Sequence, residues 1–93
     1  MKQFTKKQFK QWIESKDEKA IIGMPRSACS CPIASFLSET QNLKGANVDN
    51  WTVSYDKKRF PLKHWQINFI DGIDEYGANL IRKKQALDVL SKV

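Results

Sequence analysis

Three features are scarce in this chain of 93 residues, and each scarcity excludes a class of protein. No apolar run approaches the roughly 18 residues that a membrane span needs. Met1 and Lys2 lead into polar sequence rather than into the apolar core of a signal peptide. We therefore expect a cytoplasmic protein without a membrane partner.

Cysteine is the second scarce feature, since the chain has only Cys29 and Cys31. Two cysteines one residue apart cannot join distant parts of a chain, so a disulfide framework is excluded. We expect stability to come from packing and both thiols to be reduced.

Histidine occurs once, as His64, and this limits the chemistry that the chain can perform. A cysteine hydrolase needs an imidazole beside its thiol, and His64 is predicted to lie on the outer face of a helix. Tetrahedral zinc needs four ligands, whereas Cys29, Cys31 and His64 supply three. The sequence predicts a protein that is not an enzyme and has no metal or cofactor. A metal site shared between two copies is a remote alternative.

The segment around the cysteines is the only one with residues suited to chemistry. Cys31 precedes Pro32 at the predicted start of a helix, where unpaired amides and the helix dipole would lower a thiol pKa. A Cys29–Cys31 disulfide would close a tight and readily reduced ring. A cysteine-based redox or thiol enzyme is thus a remote alternative, and a buried structural thiol is the preferred interpretation.

The composition favours one small domain with a single core. Hydrophobic residues make up 41% of the chain, including three tryptophans, five phenylalanines and two tyrosines. Since no linker or repeat interrupts the chain, we expect one compact domain over residues 1–93. The predicted fold class is α+β, with about four short helices around a minimal sheet of one or two strands.

Four segments carry helical patterns. Thr5–Gln8 has the form of a capping box, and Phe4 and Phe9 are placed for a hydrophobic staple, so the first helix should begin here and end near residue 16. A second helix should begin around Pro32, capped by Ser30 or Cys31 and ended by residues 41–45. Pro61 is predicted to open a third helix that Gly77 ends. The stripe of the last helix comprises Ala86, Leu87, Leu90 and Val93.

Strand patterns are weaker. Trp51, Val53 and Tyr55 alternate with polar residues, as in a half-buried strand, and residues 56–59 should form the turn after it. Residues 79–81 either pair with this strand, which is the preferred prediction, or begin the final helix, and residues 20–23 form either a brief strand or a packed loop. We expect Trp51 and Trp65 to fill the core, because each occupies the apolar phase of its element.

The formal charge of +6 is unevenly distributed. Residues 1–20 contribute +3, residues 57–63 contribute +4, and the rest nets −1. Clustered charge attracts anionic partners over long range, although a solvated basic face would look the same. The predicted binding residues are Lys6, Lys7 and Lys10, beside Lys2, together with Lys57, Lys58, Arg59 and Lys63. Trp51, Tyr55, His64 and Ile67 are predicted as further contacts.

These features rank three functional hypotheses. The first is a non-catalytic basic binding module that docks on nucleic acid or a nucleoprotein, since clustered cations near aromatic rings suit phosphate contact and base stacking. No helix-turn-helix, zinc-finger or ribonucleoprotein signature is present. The second is a protein-binding adaptor or inhibitor of a larger complex, which would dock on an acidic protein or nucleoprotein surface, of the kind that phages and mobile elements encode. The third is the cysteine-based enzyme.

Overall fold

A computed structural model describes residues 1–77 and 79–93 as four helices and two small antiparallel sheets. The predicted α+β class of one small domain is confirmed. In chain order the elements are α1 (Lys6–Glu14), β1 (Ile21–Gly23), α2 (Pro32–Gln41), β2 (Asn47–Val48), β3 (Thr52–Tyr55), β4 (Lys58–Pro61), α3 (His64–Asp74), β5 (Ile81–Arg82) and α4 (Lys83–Ser91).

The capping box predicted for α1 is confirmed. The Gln8 amide donates to Thr5 Oγ1 at 3.1 Å, and the Thr5 amide donates to Gln8 Oε1 at 2.8 Å. The Phe4 and Phe9 rings lie 6.0 Å apart across the cap, as a hydrophobic staple requires. These local bonds start the helix where the sequence predicts it, and the helix ends slightly earlier than expected, at Glu14.

The predicted start and end of α2 are also confirmed. Cys31 is the N-cap, and its sulfur accepts a hydrogen bond from the Ala34 amide at 3.4 Å. Pro32 occupies the first helical position, where its missing donor costs nothing. Asn42 adopts a left-handed conformation with φ of 56° and ends the helix.

The two sheets contain more strand than predicted. β1 pairs with β5, so residues 20–23 do form a strand, and the prediction that residues 79–81 pair with residues 51–55 is wrong. Gly23 in β1 lies directly against α2, because a Cβ there would sit 2.4 Å from the Pro32 nitrogen. The second sheet has the order β2-β3-β4.

The segment after β3 differs from the prediction. Only Asp56 and Lys57 form the turn, both with positive φ (51° and 63°), and Lys58–Pro61 returns as β4. Two such residues make a tight hairpin turn whose twist suits antiparallel strands. Pro61 ends an edge strand, where it needs no ladder donor, instead of opening a helix. The third helix therefore starts at His64. At this start the amide of the preceding residue, Lys63, donates to Gln66 Oε1 at 2.7 Å.

Aromatic rings from α1, α2 and α3 form the centre of the core. Phe9 is fully buried, and its ring lies 5.0 Å from Phe69, 5.4 Å from Phe36 and 5.8 Å from Trp65. The prediction that Trp65 contributes to the core is confirmed, since its half-buried ring also packs edge-on against Phe4. These contacts bring the start of α3 to the start of α1.

Candidate functional site

The turn between β2 and β3 is held by the carboxylate of Asp49. Its Oδ1 accepts from the amides of Trp51 at 2.8 Å and Thr52 at 2.6 Å, and its Oδ2 accepts from the Thr52 hydroxyl at 2.9 Å. The Trp51 and Thr52 amides, followed by the Thr52 hydroxyl and the Arg59 charge, hold the pKa of Asp49 below its ordinary value. On the other side, the Leu62 amide donates to the Trp51 carbonyl at 2.9 Å. The backbone of Trp51 is thus fixed from two directions.

Trp51 itself projects into solvent, and the prediction that it fills the core is wrong. Its side chain is 69% exposed, whereas Val53, two residues later, is fully buried. The alternation of β3 begins at Thr52, so Trp51 lies in the preceding turn and does not share the phase of Val53. Burying a tryptophan is worth several kcal/mol by its area, so a domain this small forgoes much stabilisation here.

Strand alternation separates the cations of the hairpin formed by β3 and β4. Cross-strand partners share a face, and the buried Val53 pairs with Phe60. Arg59, which pairs with Ser54, therefore lies on the opposite, outer face of the sheet. Lys58 pairs with Tyr55 and lies in the same phase as Val53, at the end of the hairpin. Lys58 and Arg59 thus leave the strand in opposite directions, and both are exposed.

Lys63 joins this hairpin to the start of α1. It follows Leu62, whose amide is bonded to Trp51, and its Nζ lies 3.5 Å from the Phe4 carbonyl oxygen. Phe4 precedes the Thr5 cap, so the two predicted basic segments meet at this point. We call β3, the Asp56–Lys57 turn, β4 and Lys63 the basic hairpin.

The cations of the molecule divide into two sets by whether another part of the chain binds them. Several donate to backbone carbonyls or pair with an acid: Lys6 with Val93, Lys16 with Glu39, Arg26 with Asp74, Arg82 with Lys19 and Lys83 with Glu14. Within residues 1–77 and 79–93, five predicted binding residues make no side-chain hydrogen bond or ion pair, namely Lys7, Lys10, Lys57, Lys58 and Arg59. Four of these five are exposed on α1 or the hairpin strands, and the fifth, Lys57, is exposed in the turn.

The remaining predicted contacts differ in accessibility. His64 is exposed at the first position of α3, next to Lys63. Tyr55 and Ile67 are half-buried and pack against the core, so each presents only part of its side chain to a partner. Trp51, His64 and the exposed cations of the basic hairpin are thus the accessible predicted residues in this part of the molecule.

The cysteines occupy different environments. The thiol of Cys29 is exposed and donates to Asn47 Oδ1 at 3.0 Å. Burial raises the pKa of Cys31 from 9.0 to about 11, although the Ala34 and Ile33 amides act in the opposite direction. The expectation that the helix terminus gives Cys31 a low pKa is therefore wrong, because desolvation outweighs the amides. Both thiols are free, and Cys31 serves as the N-cap of α2.

Sequence reasoning missed a basic cluster at the start of α4. Arg82, Lys83 and Lys84 are consecutive. The residues outside 1–20 and 57–63 together carry a net charge of −1, and this sum concealed the three cations. Lys83 and Lys84 line the wall of a cavity of about 480 Å³, with Lys19, Glu18 and Leu87. The run of three cations was the signal that could have identified this cluster.

Sequence reasoning also missed an exposed apolar face on the β1–β5 ribbon. Ile21 is 53% exposed, and Met24 and Leu80, near the ends of the paired strands, are also exposed. Strand alternation explains the pattern, because the neighbours Ile22 and Ile81 point inward and are buried.

Comparison of the chain with family models, with curated proteins and with solved structures finds no match. Among residues 1–77 and 79–93, no helix has the length and apolar character needed to cross a bilayer. In the same residues, no three side chains of histidine, cysteine, aspartate or glutamate come together as metal ligands would.

Proposed function

We propose that the protein is a non-catalytic binding module that docks on nucleic acid or a nucleoprotein through the basic hairpin. The observation that carries this proposal is that Lys57, Lys58 and Arg59 have no hydrogen-bond or ion-pair partner within residues 1–77 and 79–93, in a hairpin whose first strand directly follows a tryptophan that is 69% exposed. The net charge of +6 favours the approach of a polyanion from any direction.

Unpartnered cations are the better phosphate ligands for an energetic reason. A phosphate that recruits Lys83 must compete with the Glu14 carbonyl, which already accepts from its Nζ at 3.0 Å. A phosphate that recruits Arg59 displaces only water and counterions, and counterion release is the main source of non-specific affinity for nucleic acids. The basic hairpin therefore binds a phosphate at lower cost than Arg82 and Lys83 do.

The first helix extends the proposed surface. Lys63 lies against the Phe4 carbonyl, one residue before the cap of α1. Lys7 and Lys10 follow on the exposed side of that helix. We propose that these two lysines contact the same polyanion beyond the Lys63 end of the hairpin.

A salt titration of nucleic-acid binding tests the proposal. The hairpin variant carries Lys57→Asn, Lys58→Gln and Arg59→Gln, with asparagine chosen because it tolerates the positive φ of residue 57. The matched control carries Lys19→Gln, Lys44→Gln and Lys84→Gln, so both variants lose three positive charges. All three control lysines are exposed.

We expect the slope of log affinity against log salt to fall by about 2 in the hairpin variant, since each lost contact to a single strand removes about 0.7. The control should keep nearly the wild-type slope. Equal slopes in the two variants would mean that only net charge matters, and the hairpin would then have no special role.

The exposed apolar face of the β1–β5 ribbon favours a second candidate function, a protein-binding adaptor or inhibitor. Ile21, Met24 and Leu80 are large apolar side chains whose exposure suits a protein partner better than a polyanion. A pull-down from nuclease-treated lysate separates the two functions. Recovery of a stoichiometric partner that an Ile21→Ser, Leu80→Ser variant loses would favour the adaptor, and loss of every partner after nuclease treatment would count against it.

A further inference from the structure

We infer that Trp51 is a base-stacking platform and that the nucleic acid bound by the basic hairpin is single-stranded. This inference rests on the proposed function and adds the form of the ligand. Its three supports are the exposure of the indole, the fixed backbone beneath it and the cations on either side of it.

The exposure of Trp51 has no internal explanation. The Trp12 ring stacks on the Phe9 ring, and the Trp65 ring packs against the Phe9 ring at a tilt. The ring centroids are 5.8 Å apart in both pairs. In residues 1–77 and 79–93, no aromatic pair includes Trp51, and the cation–π contact belongs to Lys16 and Trp12. A free π face on a basic surface is what base stacking requires, and stacking contributes about 1–3 kcal/mol per base.

The backbone beneath the indole is organised before any ligand arrives. Three hydrogen bonds that the Asp49 carboxylate accepts fix the turn, and the Leu62 amide donates to the Trp51 carbonyl. A side chain on a fixed backbone loses little conformational entropy on binding, because only its own two torsions are restricted. The turn is therefore suited to present the ring rather than to bury it.

Two cations flank the position of Trp51 in the chain segment that comprises β4 and the two residues after it. The Leu62 amide marks the position of Trp51 beside this strand. Arg59 comes three residues before Leu62, and Lys63 directly follows Leu62. At the rise of an extended strand, the Cα atoms of Arg59 and Lys63 are about 13 Å apart. A nucleic-acid strand that stacks a base on Trp51 would place one phosphate near Arg59 and another near Lys63. The Lys63 Nζ lies 3.5 Å from the Phe4 carbonyl oxygen, which is the upper limit of a hydrogen bond, so this carbonyl competes weakly with a phosphate.

The same arrangement favours single strands over duplexes. Bases in a duplex already stack on their neighbours, so the flat face of an indole has no free base to contact without paying for unstacking. Asp49 is the acid nearest the platform, but three hydrogen bonds within the turn occupy its oxygens and the Arg59 charge offsets it. We expect oligothymidylate to bind more tightly than a duplex of equal length.

Fluorescence anisotropy with an oligothymidylate of about 15 nucleotides, and with a duplex of the same length, tests this inference. Trp51→Ala should weaken binding of the single strand by about 5- to 150-fold without changing the salt slope, because stacking involves no counterion. Trp51→Phe should keep most of the affinity, and Leu80→Ala, which shortens an exposed apolar residue elsewhere, should keep all of it. Quenching of tryptophan emission by the single strand should be lost in Trp51→Phe.

A pair of variants at Asp49 tests the role of the fixed turn. Asp49→Asn and Asp49→Ala remove the same charge, but only asparagine keeps an oxygen that can accept from the Trp51 and Thr52 amides. We therefore expect Asp49→Ala to bind the single strand more weakly than Asp49→Asn does. Equal binding by the two variants would mean that the turn bonds do not position Trp51.

The possible failures can be told apart. If the wild-type protein binds neither the single strand nor the duplex at low salt, the proposed function itself is wrong. If it binds both equally, and Trp51→Ala changes neither affinity, nucleic-acid binding stands while the stacking inference is overturned. Circular dichroism of each variant confirms that the comparison is between folded proteins.

Discussion

The basic hairpin and the contact between α1 and α4 are both rich in cations, yet they use them differently. At the α1–α4 contact, Lys6 and Lys83 donate to backbone carbonyls at the opposite ends of the two antiparallel helices. In the basic hairpin, Lys57, Lys58 and Arg59 have no such bond within the described residues. The difference teaches that clustered positive charge has two uses in this fold: some cations bind carbonyls of the chain, and others have no partner within the described residues.

The aromatic residues of the two regions differ in the same way. Phe9 of α1 is fully buried among other rings, whereas Trp51 beside the hairpin is mostly exposed. One region uses its aromatic surface to hold the domain together, and the other leaves it available. Changes in the two regions should therefore separate effects on stability from effects on binding.

The largest expected effect is on stability, from the substitution Phe9→Ala. Removal of the Phe9 ring should lower the free energy of unfolding by about 3–5 kcal/mol, because a fully buried phenylalanine leaves a cavity that its neighbours cannot fill. The matched change Trp51→Ala should stay within about 0.5 kcal/mol of wild type. Urea denaturation measures both, and a large loss from Trp51→Ala would contradict the assignment of Trp51 to a binding surface.

The next effect concerns the pH dependence that Cys31 confers. Its pKa is raised to about 11, so between pH 9 and pH 11 the unfolded thiol loses its proton while the folded thiol keeps it. Rising pH should therefore favour the unfolded state, by a maximum of about 2–3 kcal/mol. Cys31→Ser keeps an N-cap oxygen and removes the titration.

Urea denaturation at pH 8 and pH 10.5 measures this difference in wild type and in Cys31→Ser. Lysine and tyrosine groups titrate in both proteins, so subtracting one pH dependence from the other isolates the thiol. A pH dependence that is identical in the two proteins would mean that the Cys31 thiol ionises as easily in the folded state as in the unfolded state.

The smallest expected effect compares two neighbouring lysines of α4. Lys83→Gln removes the bond to the Glu14 carbonyl at the end of α1 and should cost about 1 kcal/mol of unfolding free energy. Lys84→Gln removes an exposed charge and should cost less than about 0.5 kcal/mol. Thermal denaturation of the two variants gives the comparison, and equal melting temperatures would remove the structural role assigned to Lys83.

Local signals explain which elements the sequence predicted well. The Thr5–Gln8 capping box and the Cys31 cap each depend on bonds between residues three apart, so neighbouring residues alone specify them. The strands were predicted less well. The pairing of β1 with β5 joins residues about 60 apart in the chain. Strands of two or three residues are too short for their apolar pattern to specify such a distant partner.

The candidate site shows the same division. The concentration of cations in residues 57–63 was visible in the sequence, and so was the presence of a nearby tryptophan. Their placement was not visible in the sequence. The alternation of residues 51–55 puts Trp51 on the same side as Val53, but in the structure Trp51 precedes β3 and is exposed. The preferred interpretation of Cys31 as a buried thiol agrees with the structure, whereas the lower pKa expected from the helix terminus alone does not occur, since a helix terminus is a local feature and burial is not.

By itself the sequence determined the starts of α1 and α2, the α+β class and the excess of positive charge, because caps, apolar periodicity and composition act over short distances or over the whole chain. Only the tertiary structure decided which cations are bound by carbonyls, which tryptophan remains outside the core and which strands pair. These outcomes depend on contacts between distant residues, where the free energy of burying one side chain competes with that of burying another.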